Sequence, residues 1–233
     1  MGCQAGQPVG DAALPQRLCQ RVGERRGLGQ VASLRPAGRE TTEKDEPDTA
    51  GIAAFRIAGE RACLRLAARD VRASVVRLAP TVHGPQDHGF IPMLIATARK
   101  TGVSAYVGDG TNRWPAVHRL DAAVLFRLAL EKAPAGSVLP GAAESGVTLK
   151  SIAEKIARGL DLPTLSLTPA NAARHFVSPF MATAYGFDGP VSSAHTQELL
   201  GWSPTLRPVI AERGQPRGTG LGTLPLGRLR GVP

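Results

Sequence analysis

Three side chains able to move protons fall within six residues: His83, Asp87 and His88. Histidine titrates near neutrality, so the group could form an acid/base centre. The plainer reading, which the spacing favours, is a polar loop at the mouth of a cleft. Two histidines and one aspartate at irregular loop spacing, with no supporting residues legible around them, make a poor metal site. Farther along come Arg113, Trp114 and His118, then Asp121. Trp114 suits core packing as well as a pocket wall, and His118 suits a satisfied structural histidine as well as a pocket role. Asp121 reads as a helix cap rather than a catalytic acid, since a carboxylate there meets free N–H groups and the positive end of the helix dipole.

The elements that must position these residues lie between positions 71 and 130. Residues 71–78, V-R-A-S-V-V-R-L, are β-branched and apolar enough for a buried parallel strand. Ala79-Pro80 stops that ladder and Gly84-Pro85 turns the chain. Leu120, Val124 and Leu128 recur at helical spacing and predict an amphipathic helix. Upstream, residues 54–68 predict a helix whose small-residue face carries Ala58, Ala62 and Leu66. Downstream, the pattern predicts a helix at 90–101, a strand at 104–107, a turn at Gly108-Asp109-Gly110 and a strand at 137–142 after the turn Pro134-Ala135-Gly136. Thr148 is placed to cap a helix at 149–158 that Gly159 ends. A strand at 164–167 follows, and Thr168-Pro169 opens another helix. Ser192 or Ser193 caps a last helix ending at Leu200-Gly201.

This order of motifs resembles the second half of the extended short-chain dehydrogenase/reductase superfamily, the NAD-dependent epimerase/dehydratase group. Leu78-Ala79-Pro80-Thr81-Val82-His83-Gly84-Pro85 is similar to its V-L-R-P-x-x-V-Y-G-P run, and Val117-His118-Arg119-Leu120-Asp121 to its V-H-V-D-D run. Residues 147–163 and 192–204 resemble two later stretches of the group, so the likeness covers roughly residues 40–205. The resemblance implies an α/β fold: a partial Rossmann-like parallel sheet with a small, mostly helical C-terminal lobe. It implies NAD or NADP as cofactor, with Ala79, Pro80, Thr81 and Val82 beside the nicotinamide. His83, which stands at the tyrosine of the V-Y-G run, joins Arg113, Trp114 and His118 in the substrate pocket, with the planar fork of Arg113 suited to an anion. The reaction implied is hydride transfer at a carbonyl or hydroxyl carbon of a small or nucleotide-sugar-like substrate.

Two parts of the group's machinery are not legible. Its active site pairs a tyrosine with a lysine four residues later, which lowers the tyrosine pKa and holds the ribose. Here the two plausible registers give Phe55 and Gly59, or Arg56 and Glu60, while Tyr106 and Tyr185 are each followed at the fourth position by glycine. The Gly-rich pyrophosphate turn is also missing. Gly23, Gly27 and Gly29 sit among charged residues and read as loop, and Gly218, Gly220 and Gly222 lie in a basic tail. Too little chain precedes residue 71 for the strands that normally come first. The expectation is a truncated product with residues 1–39 unassigned and of unrelated or frame-shifted origin. A short helix over 12–22 is the one element expected there. A partial cofactor domain follows at 40–145, a substrate lobe at 146–210, and a disordered tail at 211–233. Such a chain would be inactive alone, a non-catalytic remnant or a nucleotide- or partner-binding module.

Composition narrows the partners. At 233 residues and 42% hydrophobic the chain can bury a full core. A net charge of +9 and a pI near 10.3 would suit an acidic partner, but the arginines are scattered and aromatic residues make up only 4%, which speaks against a nucleic-acid platform. Cys3, Cys19 and Cys63 show neither disulfide nor zinc spacing. No apolar run approaches a membrane span and no secretory core opens the chain. The expected setting is the cytoplasm, with a small-molecule substrate, neither nucleic acid nor membrane as partner, and a homodimer allowed.

Overall fold

The computed structural model describes residues 26–30 (as backbone), 34, 37–176, 178–206 and 208–210. The expected helix over 12–22, Cys3, Cys19, Gly23, the glycines 218, 220 and 222, and the tail lie outside the described residues.

A three-stranded parallel sheet runs in the order β1 (Arg26–Gln30), β2 (Ser74–Leu78), β6 (Val138–Gly141). β2 is buried on both faces, with Val75 at 0% exposure, as its β-branched run requires. Pro140 is tolerated in β6 because, among the described residues, that strand pairs on one side only. Gly27 and Gly29, expected in a loop, lie instead in β1, paired with Val75 and Arg77. Ladder hydrogen bonds come from the backbone, so the absence of apolar side chains did not prevent pairing.

After Ala79-Pro80 the chain changes sheets. Thr81, Val82 and His83 form β3 (Thr81–His83), which runs parallel to β5 (Arg113–His118). β7 (Glu144–Thr148) pairs antiparallel on the other side of β5. Pro115 sits at a register shift between Trp114 and Ala116, where its missing N–H does no harm. A two-stranded parallel sheet joins β4 (Ser104–Val107) to β8 (Thr164–Leu167).

The helices are α1 (Ile57–Ala67), preceded by a 3₁₀ turn at Ala54–Arg56, then α2 (Phe90–Thr101), α3 (Arg119–Lys132), α4 (Leu149–Leu160), α5 (Pro169–His175), α6 (Pro179–Gly186) and α7 (Ala194–Leu200). One core gathers β2, β6, α3 and Trp202. A second gathers α2, β4, β5, α4, α5 and α6 around Trp114 and Tyr185, and a smaller third joins Cys63 to Ala73 and Val75. The second core draws on residues 91–116 as well as on residues 147–209. No helix among the described residues is long and apolar enough to cross a membrane.

Several faces and ends differ from expectation. α1 buries Ile57, Glu60 and Cys63, while Ala58 is exposed. The buried Arg77 of β2 turns the helix that way, since it pairs with Glu60 at 2.6 Å. α3 buries Asp121, Ala122, Leu125, Leu128 and Ala129, leaving Leu120 and Val124 exposed. Asp121 does not cap its own helix. Its carboxylate accepts from the N–H groups of Thr205 and Leu206, and its carbonyl from Trp202 Nε1. The cap is His118, whose Nδ1 accepts from Leu120 N. Thr148 caps α4 as expected, but the helix runs through Gly159 and ends at Asp161 in the left-handed region. Thr168 caps α5, and Gly201 ends α7 at φ 64°.

Candidate functional site

Where β2 ends, Pro80 forms one wall of a small apolar cavity of about 40 Å³. The turn before α1 contributes Ile52, Ala53 and Phe55, and Phe90 opens α2. Trp114 comes from β5, Phe180 and Ala184 from α6, and Phe187 from the loop that follows. The lining is rigid on one side. Phe90 meets Trp114 edge-on at 5.0 Å, Trp114 stacks on Tyr185 at 5.5 Å and 27°, and Trp114 Nε1 donates to the Phe187 carbonyl at 3.1 Å. The Tyr185 hydroxyl donates to the Phe90 carbonyl, and burial pushes its pKa well above the ordinary phenol value.

Of the four residues expected beside a nicotinamide, Pro80 lines the cavity. Ala79 and Val82 pack into the sheet core. Thr81 is buried, and its Oγ1 is one of three buried side-chain polar atoms without a partner among the described residues; Arg56 Nε is another. The two tyrosine registers part company. Phe55 is 70% exposed at the cavity, and the Arg56 guanidinium lies over its ring at 5.1 Å. Glu60 is committed to Arg77, which also donates to the Glu43 and Asp45 carbonyls and so ties the acidic loop to the sheet.

His83 and His118 are brought together away from the cavity. They are register partners of β3 and β5, and their rings meet edge-on at 5.5 Å. His83 Nε2 stands 4.0 Å from Glu144 Oε2, which also accepts from Val209 N. Gly84 permits this approach: at φ 144° a Cβ would stand 2.9 Å from His118 Nε2. Asp87 and His88 do not join them. Asp87 accepts from Gly89 N at 2.6 Å, and His88 is exposed.

Arg113 points to a separate, open cleft of about 610 Å³, lined by Asp109, Thr111, Asn112, Gly186 and Asp188 among others. Its fork is taken: Nε and Nη2 bond the two Asp188 oxygens at 3.1 and 3.0 Å, and its backbone N–H donates to Asp188 at 2.7 Å. These bonds hold the Asp188 carboxyl below its ordinary value and push Arg113 up. A carboxyl lowered in the folded state stabilises it above the unfolded pKa, near 4, and that gain is lost as pH falls through the folded value. Thermal midpoints measured from pH 7 downward should therefore fall below about pH 4. The Asp188→Asn protein should melt lower at pH 7 and fall less steeply with acid. Parallel curves for the two proteins would discard the pair as a source of acid sensitivity.

The sequence missed Ile52, Ala53, Phe90, Phe180, Ala184 and Phe187 as lining. A signal existed: the chain has only 6 Phe and 2 Trp, and five of these rings line one cavity.

Residues 28–139 match the model of the NAD dependent epimerase/dehydratase family. The uncharacterized protein C2A9.02 of Schizosaccharomyces pombe is 52% identical over 147 residues, covering 63% of this chain and 49% of its own. The uncharacterized protein YLL056C of Saccharomyces cerevisiae is 42% identical over 172 residues, covering 74% and 56%. The chain thus spans about half the length of these relatives. Among solved structures, DesIV, a dTDP-glucose 4,6-dehydratase from Streptomyces venezuelae with NAD and TYD bound, superposes with a TM-score of 0.67 at 16% identity, over 84% of this chain and 60% of its own. A mutant UDP-glucuronic acid 4-epimerase from Bacillus cereus, complexed with NAD and a fluorinated UDP-glucuronic acid, gives 0.64 at 14%, over 84% and 61%.

Proposed function

The chain belongs to the NAD-dependent epimerase/dehydratase family, and from that premise we propose that it carries the nicotinamide and substrate side of an NAD(P)-dependent oxidoreductase acting on a small carbonyl or hydroxyl compound. The observation that carries this reading is the aromatic cavity at the carboxyl end of β2, the place where open α/β sheets bind their ligands. The apolar lining suits one face of a nicotinamide ring. Pro80 offers an apolar wall at the cavity, and the Thr81 hydroxyl, next in sequence but outside the lining, is buried without a partner among the described residues and offers a hydrogen bond to an amide held at the strand end. When bound, the nicotinamide supplies or takes up a hydride. The chain's own residues exclude water and hold the substrate's apolar body against Trp114 and Phe90.

The lining carries no titratable group, and Glu60 is held by Arg77. Those facts favour a second reading, in which the cavity binds nucleotide without turnover. A single-turnover assay with NADH separates the two.

The test is saturation-transfer NMR with NADH and NADPH. Saturation should reach the nicotinamide protons and leave the adenine protons comparatively untouched. Thr81→Val should stabilise the free protein, because it removes an unpaired buried hydroxyl, and weaken the nucleotide about three- to tenfold. Saturation on adenine alone, or a Thr81→Val protein that binds unchanged, would remove this assignment.

A further inference from the structure

We propose that the outer face of α3 is a self-association surface, through which two copies of this chain pair with their α3 helices antiparallel. Among the described residues nine large apolar side chains are exposed, and five of them lie on this helix or at its ends. Leu120, Val124 and Leu130 are 54%, 40% and 43% exposed. With Ala123 and Arg127 they make one stripe at helical spacing. The opposite stripe is already filled, by Ala122, Leu125, Leu128 and Ala129 against the sheet. Leu206, whose N–H bonds Asp121, adds an exposed leucine near the start of α3. Leu199 adds another near its end, where Lys132 donates to the carbonyl of Leu200. Apolar groups gathered in one patch, and rimmed by charge, are the usual signature of a protein contact.

The order of residues along the stripe selects a second copy as the occupant. Turned about a two-fold axis at the middle of the helix, the stripe is its own complement. Leu120 then meets Leu130 of the second copy. Arg127 meets Ala123, whose single methyl leaves room for the aliphatic stem of the arginine.

The charges at the two ends fit the same arrangement. Arg119 is exposed and pairs with no carboxylate among the described residues. It stands at the first residue of α3, the positive pole of the helix dipole, and Glu131 stands one residue from the last, at the negative pole. Each is badly placed on its own helix. Antiparallel pairing brings each to the opposite pole of the neighbouring helix and sets Arg119 against Glu131. The in-chain bond from Arg127 to Glu131 is exposed, and the carboxylate keeps lone pairs for a second cation.

The size of the face sets the strength. Its 14 residues make a helix about 21 Å long, too short to bury the roughly 1,600 Å² of a standard interface. The dimer should therefore be reversible, with a dissociation constant of about 10–100 µM.

The experiment is sedimentation velocity of the full chain over about 1–500 µM. The weight-average mass should climb from one chain toward two. Val124→Arg sets like charges face to face and should weaken association at least about tenfold. Arg119→Glu and Glu131→Arg should each weaken it about two- to fivefold, and the two combined should recover part of the loss. Unfolding midpoints in dilute solution should hardly differ among these exposed-site variants, and Leu120→Ser gives a second apolar probe if Val124→Arg fails to fold. A monomer at every concentration would overturn the proposal, whatever else then covers the face. Association that Val124→Arg and Leu120→Ser leave unchanged, or charge reversals whose losses add when combined, would overturn it as well.

Discussion

Glu60→Ala should destabilise the protein by about 3–5 kcal/mol, because it strands a buried guanidinium. Arg77 and Glu60 meet at 2.6 Å with side chains only 4% and 3% exposed, so water cannot take over the lost partner. For a domain of this size the thermal midpoint should drop by roughly 10 °C. Arg77→Met should cost at least as much, since Arg77 also satisfies the carbonyls of Glu43 and Asp45. The double change Glu60→Ala with Arg77→Met removes both charges and should recover part of the loss. Thermal unfolding of the four proteins gives the coupling directly. A Glu60→Ala protein within about 1 kcal/mol of the parent would mean that water or another residue answers Arg77. The consequence for function is specific. Glu60, which one of the two registers sets at the family's lysine position, works here as a strut between α1, β2 and the acidic loop.

Leu125→Ala should cost about 2–5 kcal/mol, and Leu120→Ala less than about 0.5, although both are leucines on one helix. Leu125 is at 0% exposure against β2 and β6, whereas Leu120 is 54% exposed. Denaturant melts of the two variants decide between the observed face and the one that hydropathy alone would choose. Equal losses would mean that α3 sits rotated by one residue.

That rotation marks where sequence reading stops. β2 was legible because a β-branched run admits few alternatives. α2, β4 and β8 were bounded correctly by Gly, Pro and Thr signals of known mechanism. The buried face of α3 was not, because a charged residue occupies its stripe: Asp121 is buried by the N–H groups of residues 205 and 206, a contact across more than eighty positions. The face of α1 was hidden in the same way by the Glu60–Arg77 pair. β5 was missed because Pro115 argues against a strand, and only the register shift reconciles the two.

At the site, motif order led to Pro80 and Trp114, which do share the cavity. It also grouped His83, Arg113 and His118 with them. The pleat and register send those side chains elsewhere, His83 and His118 to each other and Arg113 to Asp188. Alternate residues of a strand face opposite ways, so Trp114 and its neighbour Arg113 could not both line one pocket.

The measurement that tests the central claim most directly is a thermal-unfolding scan of the purified full chain with and without NAD(H) and NADP(H). A ligand held only by the folded state adds about 2.7 kcal/mol at one hundred times its dissociation constant. The account predicts one cooperative transition whose midpoint rises with one of the two nucleotides, and rises less in Thr81→Val. A cooperative transition that neither nucleotide moves would contradict it, leaving a folded chain whose aromatic cavity serves something other than a nicotinamide.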